Sequence, residues 1–214
     1  MNDNTKLCVC GKCAVSVKKI PSEHCPVCGS VTELGDSVCW SCSNNKIPFK
    51  SHRSVYVYRD KAKRAVINLK FRGKRHYADT MGQLMSVYAP KSGSFDVVTF
   101  VPMTRKAVRK RRYNQAELLA GKIAEIIGKE CKPCLKKIKE TKEQSRLGFK
   151  KRLKNVAGAF VGLENVSGMK VLLVDDVYTT GSTMTAAAKA LKNAGAVEVN
   201  CLSFAMTQRR KNEE

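Results

Sequence analysis

The segment "VLLVDDVYTTGST", residues 171–183, constrains the fold more than any other part of the chain. A run of four apolar residues is typical of a strand buried on both faces. Two adjacent carboxylates follow, and a glycine among hydroxyl side chains then opens the helical pattern "STMTAAAKALKNAG". Because ligands of open parallel sheets bind where strands end, we expect Asp175 and Asp176 at the carboxyl edge of a central strand.

The rest of the chain alternates between strand-like and helix-like segments, which predicts an α/β domain with a mainly parallel sheet and helices on both faces. We assign this domain to residues 49–214, with a hood-like segment at about 53–95. The predicted strands are "SVYVYRD", "FDVVTFVP", "GAFVG", "KVLLVDD" and "VEVNCLSFA". The predicted helices before the last one are "KAKRAVINLKF", "YADTMGQLMSVYA" and "NQAELLAGKIAEIIG".

Residues 1–48 are predicted to form a separate zinc-ribbon module, because seven of the ten cysteines lie between positions 8 and 42. Two C-x2-C knuckles can complete a tetrahedral shell of four sulfurs around a structural zinc ion. So short a segment has too little apolar material for a core of its own, which argues against plain buried thiols. The predicted ligands are Cys25, Cys28, Cys39 and Cys42.

The other cysteines do not complete a second shell of this kind. Cys10 and Cys13 form a C-x2-C pair whose role stays open: the remains of a second site, part of one with Cys8, or competition for the single metal. Cys131 and Cys134 flank Pro133 beside a predicted strand, and Cys201 lies on the last strand. For these three we expect ordinary packing.

A helix N-terminus with unpaired N–H groups is a ready site for a phosphate. Hydroxyl donors surround this one, and the glycine lets the backbone approach a ligand closely. The neighbouring carboxylates can accept hydrogen bonds from vicinal hydroxyls, so a ribose 5-phosphate fits both halves of the segment. No G-x4-G-K-[ST] element is present, which excludes P-loop chemistry. The predicted cradle comprises Thr179, Thr180, Gly181, Ser182 and Thr183.

This segment resembles the phosphoribosyl pyrophosphate (PRPP) loop of type I phosphoribosyltransferases. "LKFRGKRH", "VPMTRKAVRKRRYNQAELLA" and "EQSRLGFKKRLKNVAGAF" precede it in the order found in the ComF family of competence-associated proteins, which the whole chain resembles. The resemblance implies that Asp175 and Asp176 hold the ribose hydroxyls and that Mg²⁺ accompanies PRPP. It also implies a cytosolic role in natural transformation, beside a helicase-like ATPase.

The same resemblance suggests residues for the pyrophosphate and for catalysis. Arg105 follows a strand where type I enzymes keep their pyrophosphate loop, and Arg146 lies where they have a loop that closes over the leaving group. Together with the two aspartates, these are the predicted catalytic residues. Further candidates for contacts with an anion or a nucleic acid are Lys70, Arg72, Arg109, Arg111, Arg112 and Arg152.

The net charge of +22 points to a polyanionic partner. Residues 104–155 carry 18 Lys and Arg against five Asp and Glu, a local balance of +13. Two functions remain open: transfer of phosphoribose to an acceptor that the sequence does not identify, or binding of single-stranded DNA or a partner with the PRPP loop as a ligand sensor. No apolar run approaches the roughly 18 residues of a membrane span, and no apolar signal segment is evident, so we expect a cytoplasmic protein.

Overall fold

Five parallel strands form the central sheet. The computed structural model describes residues 16–32, 37–140 and 156–208. The strands are β1 (Ser51–Val57), β2 (Val97–Phe100), β3 (Glu130–Cys131), β4 (Leu135–Lys137), β5 (Phe160–Gly162), β6 (Lys170–Tyr178) and β7 (Glu198–Met206). The order across the sheet is β1, β7, β6, β2, β3, and all four neighbouring pairs are parallel. The other two strands, β4 and β5, pair antiparallel.

Helices cover both faces of this sheet, as the alternating pattern predicts. They are α1 (Trp40–Ser43), α2 (Asp60–Phe71), α3 (Tyr77–Ser86), α4 (Arg105–Arg111), α5 (Gln115–Ile127) and α6 (Ser182–Asn193). One buried cluster joins α2, α3 and α5 to the sheet, and a second joins α6 and the β4–β5 pair to the opposite face. Successive β6 side chains alternate between the two: Leu172 and Val174 enter the first, Val171 and Leu173 the second.

The strand order reverses between β2 and β6. From β2 the chain crosses through α5 to β3 on one side, whereas from β6 it crosses through α6 to β7 on the other. Two crossovers in opposite directions leave their helices on opposite faces, which is what the two clusters show. The crevice outside the carboxyl ends of β2 and β6 is therefore the switch point where ligands of such sheets bind.

The short elements α1, β3 and β4 were not predicted, and the other departures from the predicted elements lie beside this crevice. β6 does not stop at the two aspartates but continues to Tyr178, because Val177 and Tyr178 still pair with β7. The basic run after β2 forms the helix α4, which the sequence pattern did not predict. Within the described residues, no helix is both long and apolar enough to span a bilayer.

Candidate functional site

The crevice between β2 and β6 opens beside the two aspartates. The N–H of Val101, just past the end of β2, still donates to the carbonyl of Val174 at 3.0 Å. Beyond that bond the chain leaves β6 and enters the loop before α4, while β6 remains paired with β7. From Asp175 onward, the edge of β6 that faced β2 is therefore no longer paired with β2.

The turn from β6 into α6 is shaped by Gly181. This residue precedes the helix with φ = 76°, in the left-handed region that favours glycine. It also packs on the ring of Tyr178: a Cβ at this position would lie 2.6 Å from Cζ and would overlap the hydroxyl. Both the backbone angle and the space beneath the loop therefore require glycine.

The hydroxyl side chains of the turn differ in their exposure. Thr179 is exposed, Thr183 is partly buried, and Ser182 is buried. The hydroxyls of Thr180 and Ser182 lie 2.8 Å apart, and the Thr180 oxygen also accepts from the Ser182 N–H at 3.4 Å. Two of the predicted donors thus already bond each other, and the N–H groups of the first turn of α6 lack partners within the helix.

One depression collects part of the predicted cradle. Its lining includes Asp175, Thr179, Gly181 and Thr183. Its volume is only about 10 Å³, so it is a shallow depression of the surface rather than a cavity. Asp176 does not belong to this lining.

The two aspartates occupy different surroundings. Asp175 is half-buried, whereas Asp176 is 2% exposed and its Oδ1 lies 2.7 Å from Nζ of Lys70 on α2. Burial, and then repulsion from Asp176, raises the pKa of Asp175 to about 7, although the Lys70 ammonium opposes this shift. Burial would lower the pKa of Lys70, but the two carboxylates outweigh it, so its pKa lies above the ordinary value.

The loop that follows β2 is fixed from both ends. Thr104 caps α4 by accepting from the N–H of Ala107 at 3.3 Å, and Arg105 begins this helix with an exposed side chain. Asn114 caps α5 and also donates to the carbonyl of Val101 at 3.0 Å. The buried Asn114 side chain thus fixes the start of the loop that leads to Arg105.

The other basic residues that were predicted to contact an anion or a nucleic acid differ in exposure and partners. Arg72, Arg109 and Arg112 are exposed, and Arg111 donates to Gln115 at 2.9 Å while its guanidinium lies 5.0 Å over the ring of Phe71. Lys70 is not on the open surface but in the ion pair with Asp176. Arg146 and Arg152 lie outside the described residues.

Near the N-terminus, two C-x2-C knuckles bring four sulfurs together, as their spacing predicts. The Sγ atoms of Cys25, Cys28, Cys39 and Cys42 all lie within 4.8 Å of one another. A tetrahedron with zinc–sulfur bonds of about 2.3 Å separates its sulfurs by about 3.8 Å, so the donor set fits zinc. A hydrogen bond from Cys42 lowers the pKa of Cys28 to about 4 and raises the pKa of Cys42, so without a metal the proton stays on one sulfur of this pair.

Three other cysteines of the described residues lie outside this cluster. Cys134 and Cys201 are buried in the apolar cluster under α6, and Cys131 packs at the edge of the other one, which confirms that these three pack as ordinary side chains. Cys10 and Cys13 lie outside the described residues.

His52 and Tyr178 connect the cysteine cluster to the turn at residues 179–183, and sequence reasoning gave neither a role. His52 is fully buried on β1; Nδ1 lies 2.8 Å from the carbonyl oxygen of Cys28 and Nε2 lies 3.0 Å from Oγ of Ser203. Its ring stacks on Tyr178 at 4.0 Å, and Tyr178 supports Gly181. No local pattern reveals this link, because it depends on the register of β1 against β7.

The described residues include no cage of protein ligands for Mg²⁺, since the four cysteines are their only cluster of three or more metal-binding side chains.

The phosphoribosyl transferase domain family matches residues 106–214, and the chain belongs to this family. It is 29% identical to the competence protein ComFC of Bacillus subtilis over 87% of this chain and 79% of that protein. It is 28% identical to ComFC of Streptococcus pneumoniae, over 94% and 89%. It is also 29% identical to the DNA utilization protein YhgH of Salmonella typhimurium, over 91% and 89%. These relatives confirm that it is a ComF-type, phosphoribosyltransferase-like protein.

Among solved structures, the B. subtilis glutamine PRPP amidotransferase matches 59% of this chain and 25% of that chain, with 23% identity and a TM-score of 0.43.

Replacing Gly181 by Ala should destabilise the protein more than replacing Gly128 does. Both residues have φ near 70°, where an L residue costs about 1–2 kcal/mol, but nothing lies within 4 Å of a Cβ at Gly128. The extra loss at Gly181 comes from overlap with Tyr178. Urea unfolding followed by circular dichroism measures both variants, and equal losses would show that the Tyr178 contact does not constrain the turn.

Proposed function

We propose that this chain binds PRPP across the crevice between β2 and β6. The observation that carries the proposal is the shared depression, in which a carboxylate faces the hydroxyls of a helix N-terminus. The 5-phosphate would bind the turn at residues 179–183, and the ribose hydroxyls would donate to Asp175. Membership of the phosphoribosyl transferase domain family supports the same ligand.

The reaction that such a site would support is phosphoribosyl transfer. A nucleophilic acceptor would form a bond to C1 of the ribose while the bond from C1 to the pyrophosphate oxygen breaks and pyrophosphate leaves. Positive charge grows on the ring and negative charge on the leaving oxygens, so cations near the pyrophosphate stabilise the transition state. Arg105 at the start of α4 would serve this purpose, as would Arg146. When bound with PRPP, Mg²⁺ would neutralise part of the charge on the pyrophosphate.

The second candidate function is binding of single-stranded DNA. α4 presents Arg105, Lys106, Arg109 and Lys110 at the surface, and Arg112 follows directly. Within the described part of the chain none of these five has a carboxylate partner at salt-bridge distance. The names of the relatives, competence protein and DNA utilization protein, support a role in DNA uptake. A helicase-like partner and a cytoplasmic location remain predictions from the family resemblance and the sequence.

The cysteine cluster is proposed to hold one structural zinc ion. Its role would be to stabilise the N-terminal segment, which contributes Val27 to the apolar cluster under α6. Such metal binding is coupled to folding, because the ligands are brought together only in the folded chain.

Asp175→Asn should weaken the binding of PRPP with Mg²⁺ by about 10- to 100-fold, which corresponds to a lost hydrogen bond to a charged group. Calorimetric titration measures the affinity. Asp79→Asn removes a carboxylate from the exposed side of α3 and should bind like the wild type. Unchanged affinity of Asp175→Asn would contradict the site, and release of pyrophosphate in the presence of candidate acceptors would test transfer separately.

Metal analysis of protein purified without chelator should find one zinc per chain. Cys39→Ser should lose it, because three sulfurs no longer complete the shell. Cys131→Ser is the matched control and should retain it, since Cys131 lies outside the cluster. Two zinc ions per chain would point to a second site that includes Cys10 and Cys13, and far less than one would refute the ribbon.

DNA affinity should fall by several decades between about 50 and 200 mM salt if six to ten cations contact phosphates. Arg109→Ala should reduce the slope of log affinity against log salt by about one, because it removes one phosphate contact. Lys189→Ala removes an exposed cation from α6 and should leave the slope unchanged. Fluorescence anisotropy with a labelled oligonucleotide measures all three proteins, and a flat response would rule out this function.

A further inference from the structure

Asp175 and Asp176 point to opposite faces of the sheet. In a strand, successive side chains alternate, and Asp176 follows Leu172 and Val174 into the layer under α2. Asp175 follows Leu173 toward the layer under α6 and lines the depression with Thr183. Two adjacent acids in one strand therefore cannot face one ligand in the same way.

An ion pair fixes Asp176 in its position. Nζ of Lys70 lies 2.7 Å from Oδ1 of Asp176, and the side chains are 22% and 3% exposed. The other oxygen, Oδ2, is buried and has no hydrogen-bond partner among the described residues. Lys70 is therefore the group that compensates the buried charge of Asp176.

The same ammonium acts on Asp175. The charged groups that influence this carboxyl group come from three elements: Asp176 on β6, Lys70 on α2 and Lys137 on β4. Burial and the charge of Asp176 oppose the charged carboxylate, whereas the two lysines favour it, as does the N–H of Asp176, which donates to Oδ1 of Asp175 at 2.8 Å. Ribose hydroxyls donate more strongly to a carboxylate than to a carboxylic acid, so the charge of Asp175 affects ligand affinity.

We propose that Lys70 is a positioning residue that gives the two aspartates different roles. It holds Asp176 on the α2 face of the sheet as its counter-ion, and Asp175 remains as the carboxylate that faces the ligand. This inference rests on the proposed binding of PRPP. It gives Lys70, which the sequence suggested only as an anion contact, a place inside the site. It also makes Asp176 a support for Lys70 rather than a second ligand for the ribose.

The first test measures the affinity for PRPP with Mg²⁺ between about pH 5.5 and pH 9. In the wild type, affinity should rise as Asp175 loses its proton near pH 7. Removal of the cation in Lys70→Met should move this midpoint upward by about one to three pH units, with affinity recovering above the new midpoint. Lys70→Arg keeps the charge and should stay close to the wild type.

Lys63→Met is the matched control, because it removes an exposed cation from the same helix. Its midpoint should not move. The ligand's own phosphates titrate equally with every variant, so differences between variants report the protein. A loss of affinity in Lys70→Met that is equal at every pH would overturn the proposal, since that is the result of a structural defect.

A second variant covers the case in which Lys70→Met leaves Asp176 unpaired and does not fold. Replacing both partners by apolar residues of similar size is often tolerated where removing one is not. In Lys70→Met/Asp176→Leu the repulsion from Asp176 is lost together with the attraction of Lys70. At a pH above the Asp175 midpoint this variant should therefore fold and bind PRPP within a few-fold of the wild type, because Asp176 does not contact the ligand. A loss as large as that of Asp175→Asn would show instead that Asp176 is a ribose ligand.

A readout without ligand separates this inference from the proposed function. ¹³C NMR of the aspartate carboxyl carbons follows the titration of Asp175 in the ligand-free protein. If the wild type fails to bind PRPP, the proposed function is wrong. The upward shift of the Asp175 midpoint in Lys70→Met would still establish control by Lys70, and an unchanged midpoint would refute it.

Discussion

Hydrogen bonding of β6 to neighbours on both sides determines how the rest of the site is arranged. β7 pairs with it along the whole strand and β2 pairs with it over Val171–Val174. The backbone therefore cannot rotate to bring both aspartates to one face, and their side chains must alternate. Because the β2 side ends just before Asp175, that residue meets an open crevice, while Asp176 remains covered by α2.

Buried contacts through His52 connect the cysteine cluster to the turn at residues 179–183. The His52 ring touches the Cys28 carbonyl with one nitrogen and stacks on Tyr178 with its face. Burial lowers the pKa of His52 to about 4, despite the opposing effect of the Cys28 carbonyl, so the ring is neutral at ordinary pH. A neutral ring bonds on both sides without burying a charge, which suits a structural connection between the knuckle and the sheet.

Most of the longer elements and the cysteine cluster could be predicted from local patterns. The apolar run predicts the strand β6, Gly128 predicts the end of α5, and the C-x2-C spacing predicts that the four sulfurs lie together. The Lys70–Asp176 pair could not be predicted, because it depends on how α2 lies across the sheet. The contacts of His52 depend on the register of β1 against β7, in which His52 pairs with Cys201 of β7. Local sequence specifies elements, whereas such contacts follow from packing between distant segments.

The energetics of the Lys70–Asp176 pair favour a functional over a stabilising explanation. Removing two charges from water costs several kcal/mol per ion, and attraction repays this only where the remaining polar atoms are also bonded. Here Oδ2 of Asp176 has no donor among the described residues, so the compensation is incomplete. Two apolar side chains of the same size would stabilise the fold at least as well. What they could not supply is a positive charge beside Asp175, at the point where the sheet opens to the crevice.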